Sequence, residues 1–236
     1  MSSRLHPGTG LLGIPDSWDL PTLLTDQPKL RVVPNAEAAL VVSGAVRCWL
    51  CGPQGVEINE EFVVELRVPS RFPAILPAVF EQGGCIPPTF HHLDDGALCL
   101  GSPMMQRVAI EDAPTLPAFM TRVVLPYLYG FAYHARTGTM PFGELAHGSA
   151  GLEEDARRFF RVGEKANVVR LLLRAGERRR VANKRACPCG SPRRLGACHH
   201  TVVNAARARF GRDWFRRQAE LLIRQRLLER PAGSGQ

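Results

Sequence analysis

A chain of 236 residues, 45% of them hydrophobic, can build one large domain, or one domain with an appendage, around a real core. It holds no apolar run of membrane-spanning length, and the opening MSSRLHPGTGLLGIP lacks the hydrophobic region of a secretion signal, so the expectation is a soluble, cytoplasmic protein with no membrane partner. The net charge of +8 divides unevenly: residues 1–150 carry nine Lys/Arg against fourteen Asp/Glu, a net of −5, and residues 151–236 carry 21 against eight, a net of +13.

Such asymmetry points to two units with different partners, the rear one suited to an acidic surface, either RNA or protein. Seven cysteines, an odd number without a secretion signal, argue for a reducing compartment in which thiols serve metal binding or catalysis.

In chain order, residues 1–28 are rich in Gly, Pro, Thr and Asp, and only Ser17 to Leu24 has the makings of a short helix. Pro28 to Pro34 reads as a short strand, and Ala38 to Leu50 as a longer one rich in β-branched residues. Cys51-Gly52-Pro53-Gln54-Gly55 turns the chain. Val56 to Val68 alternates around Phe62, Val64, Leu66 and Val68, the pattern of a half-buried strand, and Pro77 to Glu81 is a last short one. Strands without intervening helices predict an antiparallel meander. Thr115 to Arg136 is apolar at helical spacing, with Pro126 expected to kink or interrupt it, and Thr137 to Ala150 is loop-like. Leu152 to Ala175 and Ala205 to Arg230 read as basic amphipathic helices, the first stopping at Gly176. The domains expected are therefore 1–150 and 151–236, an α+β sheet domain and a helical module.

Between the last strand and the apolar helix lies CIPPTFHHLDDGALCLGSP, residues 85–103, with His91, His92, Asp94, Asp95, Gly96 and Cys99 inside nine positions. Thiol, imidazole and carboxylate on one loop are the ingredients of an activated nucleophile, because the thiolate attacks and its neighbours set how much is present. The bland alternatives are a small buried Cys99, histidines that hold the loop, and an ordinary Asp94-Asp95-Gly96 turn. Cys48, Cys51 and Cys85 have no such setting and read as structural.

The order FVVELRVPSRFPAILPAVF, then HHLDDGALCL, resembles the core of ubiquitin-conjugating enzymes over roughly residues 30–140. Phe72-Pro73, Pro77, His91, Gly96, Leu98, Cys99 and Leu100 stand where that family has a proline segment, a histidine and a G-x-[IL]-C-L sequence carrying the thioester cysteine. The match closely resembles bacterial members of the antiphage (CBASS-associated) type. The family's His-Pro-Asn is missing, so no residue corresponds by position to the asparagine that steadies the oxyanion. The resemblance implies a UBC-like meander sheet packed by helices and an acyltransferase in which Cys99 carries a thioester. His91, His92, Asp94 or Asp95 would assist at the attacking amine or the oxyanion, with one histidine architectural. It also implies a protein acyl donor, such as the C-terminus of a bacterial cGAS-like nucleotidyltransferase, and a lysine-bearing acceptor. No glycine-rich phosphate loop is present for adenylating a carboxylate, so either activation falls to another protein or the acyl donor differs from the family norm.

The second motif is CPCGSPRRLGACHH, residues 187–200. Cys187, Cys189, Cys198 and His199 can close a tetrahedral zinc site with no open position, as structural zinc sites do, with His200 a competing fourth ligand. The pattern resembles the SEC-C motif, which implies a small zinc-bound interaction module rather than a catalyst. Arg178-Arg179-Arg180, Arg193-Arg194 and Arg216-Arg217 gather near it, and only Phe210, Trp214 and Phe215 are close enough in sequence to serve as stacking aromatics. A different class of function, an inactive conjugating-fold adaptor recruiting partners through the zinc tail, would bury Cys99. A cysteine hydrolase using Cys99 and His91 lacks an orienting partner for the histidine.

Overall fold

The computed structural model describes residues 13–35, 40–52, 55–141 and 148–229. The chain divides into two compact units, residues 1–101 with 105–144, and residues 102–104 with 145–236.

The first unit is α+β. A 3-10 turn, Asp16–Trp18, and helix α1, Leu20–Asp26, lead into strands β1 (Leu30–Val33), β2 (Leu40–Cys51), β3 (Glu57–Val68) and β4 (Ala78–Glu81). These form one antiparallel sheet in the order β1-β2-β3-β4, the meander expected from the alternation. Parity explains the register. Leu40 pairs with Val68, Val42 with Leu66, Val46 with Phe62 and Leu50 with Ile58, so these apolar residues of the two strands share one face. All but the half-buried Leu50 are buried there, and each fully buried side chain of this size contributes on the order of 1.5–3 kcal/mol. On the opposite face Lys29 bonds Glu61 at 2.7 Å and the Arg67 guanidinium lies 4.1 Å from the Phe80 ring centre, with Trp49 and Val63 exposed beside these charged groups. Residues 53–54 of the predicted Cys51–Gly55 turn, and the first residues of the strand predicted from Ala38, lie outside the described residues.

Helix α2, Pro103–Ala109, was not visible in the sequence, where its opening proline reads as a turn. Pro126 neither breaks nor sharply interrupts the apolar helix. Helix α3 (Leu116–Phe119) passes through a π turn (Met120–Val124) into α4 (Leu125–Thr137). In a plain α-helix the Pro126 ring would strike the Arg122 carbonyl. Widening the preceding turn, with the Leu125 N–H reaching back to the Met120 carbonyl, lets the helix continue. Gly138, at φ 72°, then ends it, its N–H bonding the His134 carbonyl at 2.8 Å.

The second unit is helical: α5 (Gly148–Phe160), α6 (Val168–Gly176), α7 (Arg179–Ala182), α8 (His200–Phe210) and α9 (Arg212–Leu228). Each of the two long helices expected is two shorter ones. The first stops where Arg161 takes φ 55° and restarts where the Asn167 side chain accepts the Arg170 N–H at 2.9 Å. The second breaks at Gly211, φ 79°. Gly176 closes α6 for a packing reason: a Cβ there would lie 2.8 Å from Arg216 Cγ on α9. Phe160, Phe210, Trp214 and Phe215 are buried together, Trp214 and Phe215 edge-to-face at 4.9 Å, so the aromatics weighed as stacking platforms form the core of this unit. Among the described residues no helix is long and apolar enough to cross a membrane.

Candidate functional site

Strand β4 ends at Glu81, whose carboxylate accepts the N–H groups of Gly83 and Gly84, each at 2.8 Å, and of Cys85 at 3.3 Å. That fixes the chain's exit from the sheet. The loop then folds on itself as a miniature hairpin: His92 bridges Leu98, the Leu93 N–H bonds the Ala97 carbonyl at 2.7 Å, and Gly96, at φ 82°, supplies the left-handed turn. The far arm returns to the sheet through the Leu98 N–H, 2.7 Å from the Val79 carbonyl of β4. Ala97 and Leu98 are buried, Asp94 and Asp95 are exposed, and His91, His92 and Cys99 are half-buried.

Several residues proposed from the sequence have visible architectural work. His92 Nδ1 lies 2.8 Å from the Phe90 carbonyl, and Asp95 Oδ1 accepts the Ala97 N–H at 3.1 Å, closing the turn. His91 sits at φ 43°, its ring edge-on to Phe90 with centroids 4.7 Å apart. Its carbonyl accepts the Cys99 N–H at 2.7 Å. The loop therefore brings His91 and Cys99 side by side through the backbone, while Asp94 stands on the exposed tip. Since the Cys99 N–H is already engaged, it is not a free donor for a reaction oxyanion.

Tyr127 lies within the stretch Thr115 to Arg136 that reads as apolar at helical spacing, a pattern that says nothing of its hydroxyl. That hydroxyl reaches the Phe90 and His91 carbonyls, 3.2 Å from each. Burial, then the charges of Cys99 and Glu81, push its ionisation well above the usual tyrosine range. The available signal was general: a tyrosine on an apolar helix face needs a partner for its O–H. Of the remaining thiols of this unit, Cys48 is in the core, whereas Cys51 and Cys85 are exposed, so only Cys48 has the buried setting of a structural cysteine.

In the second unit, Cys187, Cys189, Cys198 and His199 converge, with all four ligand atoms within 4.8 Å of one another. Cys189 Sγ and Cys198 Sγ are 3.7 Å apart, and His199 Nδ1 is 3.4 Å from Cys187 Sγ and 3.2 Å from Cys198 Sγ. A tetrahedral metal with bonds of about 2.3 Å to sulfur and about 2.0 Å to nitrogen requires edges of about 3.8 and 3.5 Å. These three separations are within a few tenths of an ångström of that shape and the remaining ones stay within 4.8 Å, so the cluster can hold a metal ion. His200 is not among the converging donors. The chain builds the site by pairing Ala186 with Arg194, by the Cys187 N–H to the Arg193 carbonyl at 2.9 Å, and by Gly190 at φ 90° in the knuckle. Gly196 has to be glycine for a close approach, since a Cβ would stand 2.8 Å from the Asn183 carbonyl oxygen.

The Ser191 hydroxyl lies 3.3 Å from Cys189 Sγ and 3.4 Å from Cys198 Sγ, a supporting contact outside the ligands. Burial pushes the Cys187 thiol up to about 11. At Cys189 burial acts the same way but is outweighed by hydrogen bonds from the Ser191 hydroxyl and backbone, which bring that thiol down to about 6. Comparisons of the chain with protein-family models, with curated proteins and with solved structures gave no match.

Proposed function

We propose that this chain is a ubiquitin-conjugating-like cysteine acyltransferase with a basic, zinc-stabilised tail. The observation that carries the reading is the placement of Cys99: half-buried, at the end of a loop pinned to the last strand of an antiparallel meander, with its backbone tied to His91. An adaptor that had abandoned the chemistry would be free to bury that thiol as Cys48 is buried. The thiolate of Cys99 attacks an activated C-terminal carbonyl of a donor protein, forming the S–C bond and expelling the activating group. An amine, the side chain of an acceptor lysine, then attacks the thioester carbonyl, forms the amide, loses its proton to solvent or a nearby base, and returns the thiolate. Positioning the amine and steadying the oxyanion is what the site has to supply. The donor we favour is a nucleotidyltransferase C-terminus in a bacterial antiphage system, with activation by a separate protein.

In the tail, three thiolates and an imidazole around a closed tetrahedron favour zinc in a structural role. Arg178, Arg179, Arg180, Lys184, Arg193 and Arg194 are exposed around this knuckle and offer a docking surface for RNA or an acidic protein.

Cys99→Ser tests the chemistry. Co-expressed with the genes beside its own, the variant should accumulate an oxyester adduct that resists thiols, since an ester is far less readily exchanged by thiols than a thioester. An adduct that persists in Cys99→Ala would overturn the assignment. For the tail, zinc content of Cys187→Ser should fall well below one per chain; a full equivalent would contradict the ligand set.

A further inference from the structure

From the geometry we infer that Tyr127 is a positioning residue for Cys99: its hydroxyl grips the successive carbonyls of Phe90 and His91 and, through His91, holds the cysteine in place. The inference rests on the reading of Cys99 as the nucleophile, but its structural arm can be measured without any turnover.

Three observations meet here. The hydroxyl has one proton and lies 3.2 Å from both carbonyl oxygens, so it is shared between them. The His91 carbonyl is also the acceptor for the Cys99 N–H at 2.7 Å, so one oxygen joins the helix α4 side chain to the nucleophile's own backbone. His91 holds φ 43°, a left-handed conformation that a residue with a Cβ adopts only when its surroundings impose it. The Tyr127 ring packs edge-on against Phe90, centroids 6.1 Å apart, and Phe90 in turn meets Phe131 at 5.1 Å, so the phenol is fixed at the end of a packed aromatic row. It follows the π turn directly, on the first turn of α4, where helix and loop face each other.

A hydroxyl in this position does two things for acyl transfer. It keeps the loop from swinging the thiol away from the attacking amine, where a misplacement of about 1 Å can cost about 100-fold in rate. It also keeps the Cys99 N–H on His91, so the oxyanion donor must come from elsewhere in the site.

Tyr127→Phe retains the ring and removes only the O–H. We expect the Cys99 backbone amide to exchange about 3- to 10-fold faster, the scale set by losing one net hydrogen bond of this kind. Alkylation of Cys99 by iodoacetamide should rise by a similar factor, followed on its own peptide by mass spectrometry. Discharge of a Cys99 thioester to free lysine should slow at saturating amine with the half-saturating concentration unchanged, a split that general loosening does not produce. Cys48 is the internal control: buried in the core of the same unit, it stays unalkylated if the effect is local. Unchanged exchange and alkylation at Cys99 would overturn the clamp, and so would Cys48 becoming reactive together with Cys99. If wild-type protein forms no thioester, the acyltransferase reading fails, and the exchange and alkylation arms still decide the clamp.

Discussion

Cys48 and Cys99 are the same side chain in opposite settings, and the contrast sets what each can do. Cys48 lies on the inner face of β2, fully buried, where burial and then the Glu60 charge push its thiol up to about 12 from 9.0. A thiol that is neutral when folded but ionises near 9.0 when unfolded stabilises the fold below that pH, and the contribution is lost as pH rises from 9 toward 12. The melting temperature should therefore fall across that window, and more shallowly in Cys48→Ala at its own lower baseline; identical slopes would contradict the burial. Glycine 44 sets a second residue-scale constraint. At φ 145°, with the Lys29 carbonyl oxygen 2.2 Å from where a Cβ would sit, it lets β1 lie against β2. Gly44→Ala should cost about 1–3 kcal/mol in a urea titration, with β1 amides losing protection first.

The elements were readable where one rule decided them. Alternation in Val56 to Val68 gave β3 because a single apolar face packs inward, and the pairing of β2 with β3 followed from the same parity. The cysteine loop was readable from Gly96 and its carboxylate neighbours, and the knuckle from its cysteine spacing. What could not be read depended on partners distant in sequence: the hydroxyl of Tyr127, the backbone link from His91 to Cys99, and the wide turn that absorbs Pro126. The break at Gly211 was visible as a glycine inside a helical pattern and was passed over. Helix α6 shows the same dependence, since its last carbonyls are held by Arg207 of α8, Nε to Ala175 at 3.0 Å and Nη2 to Arg174 at 2.8 Å. Burial, then the neighbouring Arg212 and Arg179, lowers that guanidinium's pKa from its ordinary value. Arg207→Met keeps the stem, takes the guanidinium donor from the Ala175 carbonyl and leaves the Arg174 carbonyl with the Glu177 N–H at 3.3 Å, and should destabilise the chain by about 1–3 kcal/mol in urea; no change would mean solvent satisfies them equally well.

Across the whole molecule, an acidic sheet unit carrying a thiol is joined to a basic helical unit carrying a metal-type cluster. Each has its own buried core, so they should fail separately. Treatment with a strong chelator should strip hydrogen-exchange protection from residues 185–210 while the β2–β3 amides stay protected, because the ligands organise only the cysteine knuckle and the start of α8. Loss of protection in both units at once would show that the metal supports the entire chain. The charge division has a parallel consequence: whatever binds the tail should be released by salt, with affinity falling steeply between about 50 and 200 mM if several arginines meet phosphates.

The acyl chemistry of Cys99 is tested most directly by intact mass of the protein co-expressed with its neighbouring genes and purified without reductant. The expected result is an added mass that a thiol removes and that Cys99→Ala never acquires, the mass itself identifying the donor. A bare mass, together with a Cys99 that resists alkylation in the folded protein, would contradict it and leave an adaptor with a cysteine in its loop.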